Sequence, residues 1–332
     1  MKLENLILYS INLRLFDGDL NTNTTASEGL TAEMKIFYSD YLIEMADAKL
    51  VHSQFGQKKP IPKNGGKTVE FRKYSPLPKA TTPLTEGVTP DGQALTVTPV
   101  SCEVHQYGGY VALTDVLLMT AIDNNLAQAT KLLGSQAGRT LDTITREVLN
   151  AGTNVVFGGG VNNIASITKE HKLTVDCIRR AVRELKIMNA ETIDDSFVGI
   201  IHPDCSYDLM NDEAWKYPHQ YKDTENIYNG EIGKIAGVRF VETPEAKVFA
   251  KAGASGIDVY STLILGDNAY GVVDIAGGGL EHIVKQLGSA GTADPLNQRA
   301  TAGWKATHAA VRLVEEYMVR IETASTFDAG AN

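Results

Sequence analysis

Cys102 and His105 are spaced C-x-x-H, and His202 and Cys205 are spaced H-x-x-C. Those four side chains are the types that ligate a tetrahedral zinc ion. On a strand, however, residues three apart point to opposite faces, so Cys102 and His105 are poorly placed to bind one ion together. A small buried cysteine beside an unrelated histidine is the simpler reading. Gly65-Gly66-Lys67-Thr68 resembles the end of a phosphate-binding loop. That motif needs an earlier glycine where Ile61 stands and a helix afterwards, and Val69-Glu70-Phe71 reads as a strand instead. The glycine runs at Gly158 and Gly277 lack the lysine as well. No G-x-S-x-G and no H-E-x-x-H occurs, and Asp194-Asp195 and Glu315-Glu316 lie in polar, solvated segments. No nucleophile, base and oxyanion donor assemble here, so the expectation is no catalytic residue, no cofactor and no metal.

The elements that would carry such groups point to construction rather than catalysis. Thr68 to Arg72 alternates as a strand, and Leu95 to Thr98 alternates again. After Pro99 the apolar phase slips to Val100, Cys102 and Val104, which predicts a bulged or edge strand. Between these arms Pro76, Pro78, Pro83 and Pro90 exclude a helix. The result is a long hairpin with a stiff tip and too few apolar residues for a core of its own. Such an arm needs something outside its own subunit to lie on. Upstream, Met34, Phe37, Tyr38, Tyr41 and Leu42 predict a helix from Thr31 to about Val51.

Downstream, Thr114 caps a short helix. Leu126, Ala129, Leu133, Ala137, Leu141, Ile144 and Val148 then predict a long one, capped by Asn124 or Asn125 and ended at Gly152. Asp142 and Arg146 read as a surface pair on it. Gly134 and Gly138 lower its helix propensity, which implies close backbone packing along their face. An α/β lobe follows. It has a helix through Val175, Ile178, Val182 and Leu185, a buried strand Phe197–Ile201, and a helix started by His202-Pro203-Asp204. Ile232 to Ala236 reads as a helix end, and strands follow at 238–241 and 263–265. Late strand candidates are 271–275, 280–286, 307–312 and 317–321, expected to return to the first lobe and pair there.

Composition narrows the class. A chain of 332 residues exceeds what one core serves, so two lobes plus extensions are expected. The formal net charge of -9 argues against a surface built to grip nucleic-acid phosphates. Three widely spaced cysteines imply no disulfide framework and fit a reducing cytoplasm. No apolar run is long enough for a membrane span, and the start lacks a signal-peptide pattern.

This order of elements resembles the major capsid proteins of tailed bacteriophages, with the Hong Kong 97-type fold. Its detail is similar to the branch typified by coliphage N-four. Lys59-Pro60-Ile61-Pro62-Lys63-Asn64-Gly65-Gly66-Lys67-Thr68, Leu77-Pro78-Lys79-Ala80, Leu132-Leu133-Gly134-Ser135-Gln136-Ala137, Ile201-His202-Pro203-Asp204 and Gly303-Trp304-Lys305-Ala306 carry that likeness. The resemblance implies an α+β chain in six parts. These are an N-terminal arm (1–66), an E-loop hairpin (67–112), a P-domain part with the spine helix (113–171), an inserted A-domain (172–268), P-domain return strands (269–326) and a tail (327–332). It implies a homo-oligomer of pentamers and hexamers closing into an icosahedral virion shell, built in the bacterial cytoplasm. The shell encloses double-stranded DNA without sequence-specific binding, and portal, scaffold and decoration proteins are the implied partners. No membrane is involved.

The expected subunit interface is the hairpin tip, Pro76, Leu77, Lys79, Pro83, Leu84, Glu86 and Val88, with Gly134 and Gly138 packing the spine helix. Hong Kong 97 itself cross-links subunits through a Lys–Asn isopeptide. Lys79 sits where a loop lysine would, but no partner asparagine or catalytic carboxylate is matched. Two other classes compete: an encapsulin-like compartment shell of the same fold, and an α/β enzyme using the inserted lobe.

Overall fold

The computed structural model describes residues 42, 46, 50–60, 67–75, 77–89, 91–120, 125–215, 233–274, 280–289 and 294–332. Most of the expected Thr31–Val51 helix, the first cap candidate Asn124, Gly65-Gly66, Pro76 and Ile232 lie outside them.

The chain opens with β1 (Gln57–Pro60), β2 (Thr68–Tyr74), β3 (Val97–Glu103) and β4 (His105–Thr114). Two helices follow, α1 (Asp115–Thr120) and α2 (Asn125–Asn150), then β5 (Val155–Phe157), α3 (Val175–Ile187), β6 (Phe197–Ile201) and α4 (Pro203–Asn211). Next come β7 (Lys234–Ile235), β8 (Val238–Glu242), β9 (Val248–Phe249), β10 (Val259–Leu265) and β11 (Tyr270–Asp274). The last strands are β12 (Leu280–Lys285), β13 (Arg299–His308), β14 (Ala310–Arg312) and β15 (Met318–Thr323).

β2 forms because Val69 and Phe71 alternate inward while Glu70 and Arg72 face solvent. Among the described residues it pairs only with β3, from Thr68↔Glu103 to Tyr74↔Val97. In a two-stranded ladder both strands are edges, where Pro99, lacking an N–H, is tolerated. At Val104 the ladder stops, and Val104 N donates to Lys67 O at 2.7 Å. The chain then changes partner. β4 pairs along its whole length with β13, and β13 pairs with β12. Thr68 thus begins a strand rather than the helix a phosphate loop requires.

α2 is 26 residues, about 39 Å long at 1.5 Å per residue. Ala129, Leu133, Ala137 and Leu141 are buried on it as their spacing predicts, and Gly134 and Gly138 are buried with them. Leu133, Ala137 and Leu141 pack with Leu42, Ala46 and Leu50 of the arm and with Leu280, Ala302, Trp304 and Ala306 of the three-stranded sheet. Trp304 Nε1 donates to Gln136 Oε1 at 3.1 Å, and a methyl at Gly109 would stand 2.7 Å from that oxygen, so it would displace the glutamine from this bond. Over the last turns the buried face includes Asp142, Thr145 and Arg146, while Ile144 and Val148 are only half-buried.

The second lobe is a seven-stranded sheet ordered β5-β15-β10-β6-β8-β7, with β9 beside β10. β6 and β10 are buried at every residue, as central strands with two covered faces must be. One face packs on α3 and α4, and the other meets the end of α2 through Leu149, Ile200, Leu263 and Leu265. Thr174 caps α3, and His202 Nδ1 accepts from Asp204 N to start α4, with Pro203 in the first turn. The stretch read as a helix end before Ala236 is a strand instead. Lys234-Ile235 joins β8 through Ala236 and Gly237, both at positive φ, a two-residue hairpin turn that needs no helix.

The late strands divide among three sheets. β12 and β13 lie under α2. β11 pairs with β1 and β14. β15 does not return with them but lies between β10 and β5 in the lobe's sheet, where its apolar residues are covered on both faces. β13 begins at Arg299, eight residues before the sequence signal, because its first half is small: Ala300, Ala302 and Gly303.

Candidate assembly site

The hairpin root is fixed. Val69 and Phe71 pack with Val273 and Ala309, and Cys102 and Val104 join them. The Phe71 ring lies where a side chain at Gly271 would stand. Beyond Tyr74 the chain leaves regular structure until Val97. Leu77, Leu84, Val88 and Leu95 are 51%, 76%, 62% and 71% exposed, so this tip offers its few large apolar side chains to solvent. Lys79, Pro83 and Glu86 are exposed too, whereas Pro76 lies outside the described residues. The hydrogen bonds of the tip are local, such as Ser75 N to Thr96 O and Val88 N to Thr85 O, with Gly87 at positive φ closing the turn. A fixed root thus carries an exposed apolar tip that has no counterpart among the described residues.

Three polar joints, none legible as such in the sequence, hold the body that carries this tip. In the first, the arm meets α2. Asp142 Oδ1 accepts from Val51 N (2.8 Å) and His52 N (2.7 Å), and Oδ2 accepts from His52 Nδ1 at 2.7 Å. Both side chains are fully buried. His308 of β13 completes the cluster, its Nε2 2.8 Å from Thr145 Oγ1, and burial pushes its imidazole down to about 4 while Asp142 pulls the other way. In the second, Arg146 donates to Glu245 O, to Glu147 and to Asn332 O. Burial raises the Glu147 carboxyl, but its bonds to Lys247 and Arg146 outweigh this and hold it below the usual range. Asp142 and Arg146 are therefore not the surface pair their spacing suggests. Each is buried and turned to a different partner.

The third joint lies along the C-terminal residues. Ser325 Oγ, Thr326 N and Thr326 Oγ1 all donate to the carboxylate of buried Asp208. Gly330 N donates to Asp258, and the Asn332 side chain bonds Val248 N, Pro244 O and Ala246 O.

The two cysteine–histidine pairs stay apart. Cys102 sits at the hairpin root, whereas Cys205 is in the core of the second lobe and His202 caps α4. Burial pushes the Cys205 thiol well up, away from reactivity. Among the described residues no cluster of three or more His, Cys, Asp or Glu side chains is placed to hold a metal ion. No described helix is long and apolar enough to cross a membrane.

A family described as phage capsid protein matches residues 97–321, more than half of the chain. No curated protein matches the sequence. The capsid of Ralstonia phage GP4 is similar over 85% of this chain and 90% of its own, at 15% identity and a TM-score of 0.65. The capsid of cyanophage P-SCSP1u is similar over 83% and 89%, at 14% identity and a TM-score of 0.63. A virus-like particle from Pyrococcus furiosus is similar over 87% and 99%, at 12% identity and a TM-score of 0.50. At such identities the likeness is one of fold.

Proposed function

Since this chain belongs to the phage capsid protein family and is a structural protein of the head shell, we propose that its copies form pentamers and hexamers that close into an icosahedral shell around double-stranded DNA. The observation that carries this reading is the hairpin tip, whose Leu77, Leu84 and Val88 are exposed in their own subunit. Burying each on a neighbour is worth roughly 1.5–3 kcal/mol. Several such contacts per subunit suffice in a closed symmetric assembly. The tip prolines restrict the free loop, so less entropy is lost on docking.

A net charge of -9 suits a container, because a strongly basic lining would bind packaged DNA tightly. DNA is enclosed without sequence-specific contacts, and portal, scaffold and decoration proteins complete the particle in the bacterial cytoplasm. Gly134 and Gly138 let α2 pack closely within each subunit. Placement in the coliphage N-four branch rests on the sequence motifs alone.

The test replaces Leu77 to Val88 with a short Gly-Ser linker. The unassembled subunit keeps its unfolding midpoint, and particle yield by sedimentation collapses. Normal shells in good yield would show that the tip is not an assembly element. The likeness to the Pyrococcus particle keeps a cellular compartment as the second reading. Particles purified from the native source separate the two, with DNA inside for the first and protein cargo for the second.

A further inference from the structure

α3 carries two unlike faces at its exposed end. Arg179, Arg183 and Lys186 recur at i, i+4 and i+7 and are all exposed. They line a groove of about 420 Å³ with Val182, Ile187 and Ala236. On the other side of Ile187 lies a groove of about 580 Å³, lined by Glu184, Glu315, Glu316 and Met188 with Thr153 and Asn154. Ile187 lines both grooves, and it and Met188 are 55% and 51% exposed. The end of the helix is therefore an apolar ridge with a cationic trough on one flank and an anionic trough on the other. None of Arg179, Arg183, Lys186, Glu184 or Glu316 makes an ion pair with a described residue, whereas Arg180, on the same helix, is paired with Asp176 at 2.7 Å. Glu315 is held by Thr153 N and Oγ1 and keeps its charge, those bonds lowering its carboxyl below the usual range.

We propose that these two troughs are the two halves of one contact between neighbouring copies, the basic trough of one subunit closing on the acidic trough of the next around a ring. Charge complementarity points to a second copy as the occupant, because the chain itself carries both signs side by side, unpaired among the described residues. The arrangement on the helix fits a ring. At about 100° per residue the basic stripe and Glu184 are separated by about 130° around α3, with Ile187 between them. In a closed ring of five or six copies, the two contact faces of a wedge-shaped subunit point about 110–120° apart, and the apex of the wedge lies nearest the axis. Ile187 occupies that apex. Like charges meet if a copy is turned over, so the pairing also sets the direction of assembly.

The inference rests on the shell-forming reading, and charge reversal tests it. The basic side is reversed in Arg179→Glu/Arg183→Glu/Lys186→Glu and the acidic side in Glu184→Lys/Glu316→Lys, all at exposed or half-buried positions, so each unassembled subunit keeps the parent's thermal midpoint. Each one-sided variant sets like-charged troughs against each other and reduces assembled particle yield at least tenfold. The variant carrying both sets restores it, because the troughs are again opposite in sign. Arg179→Glu/Arg183→Glu serves as a milder basic-side variant should the triple change misfold. One-sided variants that assemble as the parent does overturn the contact. So does a two-sided variant that assembles no better than the one-sided ones. A midpoint lowered by each one-sided change and recovered in the two-sided variant shows that the troughs have a partner within the chain, which also overturns it. A parent chain that stays monomeric under every assembly condition overturns both readings, whereas a parent forming particles beside equally competent variants overturns this contact alone.

Discussion

Asp142→Ala removes the acceptor on which the arm is hung, and its cost can be worked from the geometry. The carboxylate accepts two backbone N–H groups, from Val51 and His52, and one imidazole nitrogen, all at 2.7–2.8 Å. With His52 and Asp142 fully buried, no solvent replaces the lost acceptor. Three unpaired donors would cost about 1–3 kcal/mol each if summed, but neighbouring losses overlap. The expected total is therefore about 3–5 kcal/mol. Asp142→Asn should cost only about 1–2 kcal/mol. Its amide oxygen still accepts both backbone N–H groups, and its NH2 can donate to Nδ1 of the other histidine tautomer. Urea unfolding of the unassembled subunit measures both, and Trp304, in the core that α2 shares with the arm, gives the fluorescence signal. Hydrogen exchange at the Val51 and His52 amides should accelerate in the alanine variant before global unfolding does. A cost for Asp142→Ala within about 0.5 kcal/mol of zero would refute the reasoning, because surface changes fall in that range.

Two further outcomes follow from the same core. His308 has its folded pKa lowered by burial from 6.5 to about 4, so the fold favours the neutral ring. Its contribution is complete above about pH 6.5 and is lost as pH falls toward 4, because the unfolded chain takes up the proton first; the window is worth on the order of 3 kcal/mol. The stability difference between the parent and His308→Gln should therefore shrink between pH 7 and pH 4.5, and a constant difference would mean that the ring is not held neutral. Gly138 is buried on α2, so Gly138→Leu should destabilise by about 1–3 kcal/mol through overpacking, despite a gain of about 1 kcal/mol in helix propensity. An unfolding midpoint at or above the parent's would show that this helix face is open.

What the sequence makes legible is what apolar spacing encodes. Val69 and Phe71 announce β2, the run Phe197 to Ile201 announces a strand covered on both faces, and the 3.6-residue period announces α2 as far as Leu141. Partners are less legible than elements. Nothing in Val100 to Val104 tells which residues form the hairpin and which cross to β13, because alternation looks the same beside either neighbour. The position of β15 beside β10 likewise depends on a pairing across more than fifty residues.

Least legible are the joints. Periodicity arguments treat a polar residue as a solvated one, so Asp142 and Arg146 read as a surface pair, and residues 327–332 as a tail. In the fold each such group reaches far along the chain, Asp142 to His52, Arg146 to Asn332 and Asp208 to Thr326. Apolar contacts build the separate bodies, since burial is non-directional and tolerates many arrangements. Buried polar groups then select one arrangement of those bodies, because a misplaced donor loses its only acceptor. The hairpin tip is the opposite case. Among the described residues no period, core or polar partner accounts for Leu77, Leu84 and Val88, and the structure leaves them exposed. On the proposal made above, a segment stiffened by proline, fixed at its root and supplied with apolar side chains that the described fold does not bury lies on a surface of another subunit.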